Sequence, residues 1–129
     1  MIIGYAYVVG DILHEGHLLH LRNCKGLCDR LIVGVLTDQA AMEKKPKPAK
    51  SFYERIAIIS ALSMVDAAVP QDEYEPTKNI NEIKPDILFE CQQHERYGEF
   101  HGYNGRVIAM PYYPGISSTD IKERIRENR

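Results

Sequence analysis

Residues 31–36 read Leu-Ile-Val-Gly-Val-Leu, a run without one polar side chain, closed by Thr37 and Asp38. A half-exposed strand alternates polar and apolar positions, so an unbroken apolar run implies a strand covered on both faces, as in a parallel sheet sandwiched by helices. Other strand-like runs lie at Ile2 to Val9, Val65 to Val69, Asp86 to Phe89 and Arg106 to Met110. Stretches with helical spacing separate most of them. One runs from Leu18 to Cys28, a second is opened by the capping box of Ser51 and Glu54, a short one lies around Ile80 to Ile83, and a last amphipathic one reaches Arg126. Pro70 is expected to end the third strand and Pro85 the short helix. Strands alternating with helices predict a three-layer α/β fold around a five-stranded parallel sheet, with right-handed crossovers and a ligand site at the carboxyl ends of the strands. At 129 residues this is one domain, 1–129.

A formal net charge of -2 gives no general attraction to nucleic acid, so an anionic ligand has to be held by a local site. No apolar run approaches the ~18 residues needed to cross a membrane, and the N-terminus lacks a secretion pattern, which makes the cytoplasm the expected compartment. Three cysteines, an odd number without framework spacing, agree with a reducing environment. The dinucleotide fingerprint G-x-G-x-x-G is absent, which argues against a dehydrogenase. His20, Cys24 and Cys28 share one helical stripe and, with Cys91 and His94, have metal-ligand chemistry; the same spacing fits the buried face of a helix, and no metal site is assigned there.

The chemistry concentrates in residues 10–17, Gly-Asp-Ile-Leu-His-Glu-Gly-His, where a strand hands over to a helix. The first turn of a helix carries unpaired N–H groups and the positive end of the dipole, which suits phosphate. Gly16 lets a ligand come close to the backbone, and His14 and His17 add two imidazoles able to donate to phosphoryl oxygens. Either histidine alone reads equally well as a surface or first-turn residue. Residues 42–50, with four lysines and with Pro46 and Pro48, predict an exposed, mobile, basic loop on the same edge. Ser117, Ser118 and Thr119 join hydroxyls to a helix start, which is either a second phosphate cradle or an ordinary cap.

The order H-x-G-H after a first strand, with Gly115-Ile116-Ser117-Ser118-Thr119-Asp120-Ile121-Lys122 near the far end, resembles the paired signatures of the cytidylyltransferase-like nucleotidyltransferases, and is similar above all to the small glycerol-3-phosphate cytidylyltransferases. The resemblance covers nearly the whole chain. It implies a Rossmann-like fold of the HxGH type and transfer of CMP from CTP, with Mg²⁺, to a small phosphorylated alcohol or a phosphonate, with release of pyrophosphate. ATP-using adenylyltransferases share the motifs, and a nucleotide sensor without turnover is a further alternative. By the same resemblance Val9, Gly10, Asp11, His14, Gly16, His17, Lys44, Gly115, Ser117, Ser118 and Thr119 bind nucleotide, and His14, His17 and Lys44 serve the reaction. Lys45 or Lys47 could take the place of Lys44. The resemblance also implies a homodimer.

Departures from the family pattern bear on the acceptor. Val8, Val9 and Gly10 precede Asp11 where the relatives read G-x-F before that aspartate; Ser63 replaces an arginine; Cys91, Gln92 and Gln93 replace a G-D-D turn; and Tyr112, Tyr113 and Pro114 replace R-T-E. The acceptor pocket is therefore expected from His94, Arg96, His101 and Tyr112, with Tyr103 beside them; Arg55, in the first turn of its helix, matches an arginine of the relatives and is either a further acceptor residue or a structural one.

Overall fold

A computed structural model describes residues 1–91 and 102–111. Five strands, β1 (Ile3–Val8), β2 (Arg30–Leu36), β3 (Ala67–Gln71), β4 (Ile87–Cys91) and β5 (Arg106–Met110), form one parallel sheet in the order β3-β2-β1-β4-β5. Helix α1 (Glu15–Lys25) joins β1 to β2, α2 (Asp38–Met42) and α3 (Phe52–Ser60) join β2 to β3, and α4 (Thr77–Ile83) joins β3 to β4.

Alternation along the strands divides the interior into two layers. Ala6, Val33, Val35 and Phe89 pack with Leu21 and Cys24 of α1 and Ile59 of α3. Tyr5 and Leu88 point to the other side and pack with Ile80 of α4. The sheet is thus covered on both faces, as residues 31–36 demand. Gly34 serves that second face: the Tyr5 hydroxyl passes over it to donate to Gln71 Oε1 at 2.5 Å, and a Cβ at position 34 would collide with the Tyr5 ring and hydroxyl. Asn79 Nδ2 donates to the same hydroxyl at 2.9 Å, so this buried polar group is satisfied twice.

Two elements differ from the sequence reading. The third strand runs through Pro70 instead of ending before it, with Pro70 aligned to Val35. β3 is an edge strand, where a missing N–H costs the sheet nothing on its open side. Helix α2, just ahead of the expected loop, is an element the sequence does not announce; Thr37 caps it, accepting from Ala40 N at 3.2 Å, and Ala40 and Ala41 are buried. The chain after α2 is exposed over residues 42–47, but Pro48 is buried and both ends of the segment are tied down, so it is an anchored strap. The last amphipathic helix and the motif around Ser117 lie outside the described residues. Among the described residues, no helix is long and apolar enough to cross a membrane.

The strand order reverses at β1. The chain moves from β1 outward through β2 to β3, then crosses back to lay β4 on the other side of β1. The crevice beyond the carboxyl ends of β1 and β4 is the switch point at which open α/β sheets bind ligands.

Candidate active site

The turn after β1 leads straight into this crevice. Gly10 turns the chain with φ +74°, a conformation that strains any residue with a Cβ. Asp11 then folds back, buried, and accepts from Ala49 N at 3.0 Å and Lys50 N at 2.9 Å. One carboxylate thereby joins the turn to the far end of the lysine strap.

His14 is the N-cap of α1. Its Nδ1 accepts from Gly16 N–H at 3.0 Å, while His17 Nδ1 accepts from His14 N–H at 3.2 Å. Two imidazoles thus make the reciprocal capping box usually built from a hydroxyl residue and a glutamate. The arrangement fixes the chemistry of both rings. A nitrogen that accepts an amide proton carries none of its own, so each neutral ring holds its proton on Nε2 and presents it as a donor. The ring centroids lie 4.1 Å apart with planes inclined at 47°. The sequence alone predicts free backbone donors here. The Gly16 N–H is instead committed to His14, and the His17 N–H reaches His14 O at 3.0 Å.

Burial, followed by the neighbouring His14, His20 and Lys45, lowers the His17 pKa to about 4. The ring is neutral at pH 7 and offers a hydrogen bond, not a full charge. An unfolded chain binds a proton at this position near pH ~6.5, so the stability contributed by neutral His17 is complete above that value and is lost as pH falls toward 4. NMR titration of the ring resonances is expected to show His17 titrating near pH 4; a midpoint at or above the unperturbed value would contradict the packing described here.

The strap approaches the same edge. Lys44 Nζ lies over the Tyr74 ring, 4.9 Å from its centroid, and Lys45 is the strap residue whose charge is felt at His17. Arg55, expected in the acceptor pocket, is fully buried and occupied: Nη1 donates to Val9 O at 2.6 Å and Leu36 O at 2.7 Å, Nε to Lys50 O at 3.2 Å, and Nη2 pairs with Asp38 at 2.6 Å. It fastens the ends of β1 and β2 to the strap and α2, and has no donor edge turned to a substrate. The Val9 carbonyl is held in this inward cluster as well. Tyr103 is likewise removed from the acceptor pocket, because its hydroxyl donates to Pro85 O at 2.8 Å beside the amino ends of β4 and β5. His94, Arg96, His101, Tyr112, Gly115, Ser117, Ser118 and Thr119 lie outside the described residues.

Cys24 belongs to the core beneath α1, and burial raises its thiol to about 12; Cys28 Sγ donates to Cys24 O at 3.4 Å. Both behave as packing groups. At the carboxyl end of β4, buried Glu90 accepts from the Tyr7 hydroxyl at 2.5 Å, a contact that the sequence does not single out.

Comparison with known proteins agrees with this geometry. The cytidylyltransferase-like family model matches residues 10–124. Bifunctional protein HldE of Aeromonas hydrophila subsp. hydrophila is 36% identical over 124 residues, covering 91% of this chain, and that of Haemophilus ducreyi is 36% identical over 126 residues, covering 92%. The chain spans only 26% of the length of these relatives. A crystal structure of the lipopolysaccharide core biosynthesis protein from Thermoplasma volcanium superposes with a TM-score of 0.78 at 31% identity, covering 88% of this chain and 98% of that one. Pantoate-beta-alanine ligase from Francisella tularensis, at 16% identity and a TM-score of 0.54 over 97% of this chain and 69% of that one, shares the fold. With the imidazole pair at the switch point and the family match over most of its length, the chain belongs to the cytidylyltransferase-like nucleotidyltransferases.

Proposed function

We propose that the chain transfers a nucleoside monophosphate, CMP from CTP, to a small phosphorylated alcohol or phosphonate and releases pyrophosphate. The observation that carries this reading is the pair of imidazoles whose Nδ1 atoms are both occupied, leaving two Nε2–H donors at the head of α1. An acceptor phosphate oxygen attacks the α-phosphorus, a new P–O bond forms, and the bond to the bridging oxygen breaks so that pyrophosphate departs with the electron pair. The attacking oxygen is already anionic, so no base has to remove a proton. The protein's task is to hold two anions together and stabilise charge on the α-phosphoryl and leaving groups.

The two donors suit phosphoryl oxygens and not a metal, since a protonated Nε2 and an engaged Nδ1 leave no free lone pair. That donor set fits Mg²⁺ arriving with the triphosphate, where it neutralises phosphate charge. The relative from Thermoplasma volcanium, described as acting in lipopolysaccharide core biosynthesis, supports a sugar phosphate as one member of the acceptor class.

Pyrophosphate release tests the reading, measured with CTP and with ATP, each with Mg²⁺, against glycerol 3-phosphate, sugar phosphates and phosphonates. Acceptor-dependent release with CTP is the expected outcome. Release with ATP alone would transfer the activity to adenylyl transfer, and nucleotide binding without release in any combination would mark a sensor.

A further inference from the structure

His14 and His17 flank β1 from the side of α1 and present donors; the other side of the same strand ends in an acceptor. Tyr7 and Glu90 stand next to each other on the paired strands β1 and β4, each one residue before the strand's carboxyl end. By the alternation of a strand they share the face of Tyr5 and Leu88, opposite α1. The hydroxyl proton of Tyr7 is given to Glu90 Oε1 at 2.5 Å. A phenol has one such proton, so towards any further partner its oxygen accepts and cannot donate. Burial, and then the charge of Glu90, raises the Tyr7 pKa, which keeps the proton in that bond. A phosphoryl oxygen, itself an acceptor, gains nothing at such a position, whereas an N–H or O–H group does. Glu90 is 1% exposed and Tyr7 only half-buried, so a ligand at this edge meets the phenol and not the carboxyl group behind it.

Tyr74 continues the same wall. It packs with Tyr7 and Val9 against Leu36, Ala40 and Ala41, and its ring already has an ammonium over it, that of Lys44, 4.9 Å from the centroid. Two half-buried tyrosines, one backed by a carboxyl group and the other with a cation on its face, form surroundings that suit an ammonium and not a phosphate.

Resting on the nucleotidyltransferase reading, we propose that Tyr7 selects the acceptor by taking a hydrogen bond from an ammonium group at the end remote from its phosphate or phosphonate, and that Glu90 is the positioning residue that makes the phenol an acceptor by holding its proton. The acceptor is then an amino-substituted alkyl phosphate or phosphonate. Its anionic end meets the Nε2–H donors and its cationic end the tyrosine wall.

Two probes of equal shape test this without any substitution, since 2-aminoethylphosphonate and propylphosphonate differ only by an ammonium in place of a methyl. Calorimetric titration with Mg²⁺ and α,β-methylene CTP, which cannot release pyrophosphate, is expected to favour the amine by about tenfold or more, as for one charge-assisted hydrogen bond. Glu90→Gln keeps the shape and still accepts from the phenol; it is expected to erase most of that preference, and in pyrophosphate release with CTP to act on the KM of the amine and not on kcat. Tyr7→Phe is expected to erase the preference as well. Equal affinity of the wild type for the two phosphonates, or binding of neither, overturns the proposal, and tighter binding of glycerol 3-phosphate than of the amine overturns the ammonium. The trimethylated amine keeps the charge without an N–H, so affinity for it equal to that for the parent amine overturns the hydrogen bond to Tyr7. A preference unchanged in Glu90→Gln removes Glu90 from the selection. Absence of pyrophosphate release with every acceptor, beside a calorimetric preference for the amine, overturns the nucleotidyltransferase reading and leaves the ammonium site standing.

Discussion

A chain carrying His14→Asn is expected to fold like the wild type and to release pyrophosphate about 10²- to 10³-fold more slowly, and His17→Gln is expected to do the same. These substitutions are chosen to separate two duties of each ring. Asparagine is a good N-cap and can accept from Gly16 N–H as His14 Nδ1 does; glutamine at the third helical position is the ordinary partner in a capping box. Both replace the imidazole Nε2–H by an amide N–H in a different position, and a donor aimed at a developing charge is worth about 3 kcal/mol of transition-state stabilisation. Alanine in their place would lose the cap as well, at a further ~1 kcal/mol of stability, and confuse the two effects. The measurement is turnover at saturating nucleotide and acceptor beside a thermal melt. Near-normal turnover in both variants with unchanged melting would remove the imidazoles from the mechanism. The double variant is expected to lose less than the product of the single losses, because the two donors act on one transition state.

The second large effect is on stability. Arg55→Met is expected to lower the free energy of unfolding by about 3–5 kcal/mol, read from urea denaturation. Methionine fills much of the space but leaves the carbonyls of Val9 and Leu36 without their guanidinium donor and takes the partner from Asp38. Lysine does not rescue the site, since a single ammonium cannot reach Val9 O, Leu36 O, Lys50 O and Asp38 from one point. A loss below about 1 kcal/mol would show that water satisfies these carbonyls as well as the arginine does.

Arg55 also illustrates what a sequence hides. A first-turn arginine near a basic loop reads as an acceptor-pocket residue as easily as a structural one because its charge is visible, whereas its partners are backbone carbonyls brought together only by the fold. The parallel sheet was legible because burial on both faces erases polar alternation, and residues 31–36 carry that mark plainly. Helix α2 was not, because five residues complete little more than one turn and display no period. Pro70 misled in the same way: a proline excludes a central strand, and only the sheet order shows that β3 is at the edge. His14 and His17 announced a site by position, but their tautomers depend on which nitrogen accepts which amide, a matter of geometry. The same holds for Lys44, whose ammonium lies over a ring thirty residues further on.

The placement of β1 bears on how the turn of the candidate site can fail. β1 has hydrogen-bonded neighbours on both sides, β2 and β4, and its Tyr5 and Ala6 are wholly shielded from solvent. Parting it from either neighbour means dismantling the sheet, so the turn that carries both imidazoles hangs from an interior strand. β3, at the margin, has a neighbour on one side only, so opening there leaves the pairing of β1 with β2 and β4 intact. The chemistry is therefore insured by the global cooperativity of the fold, while the parts that have to adapt to an incoming substrate are left outside that guarantee.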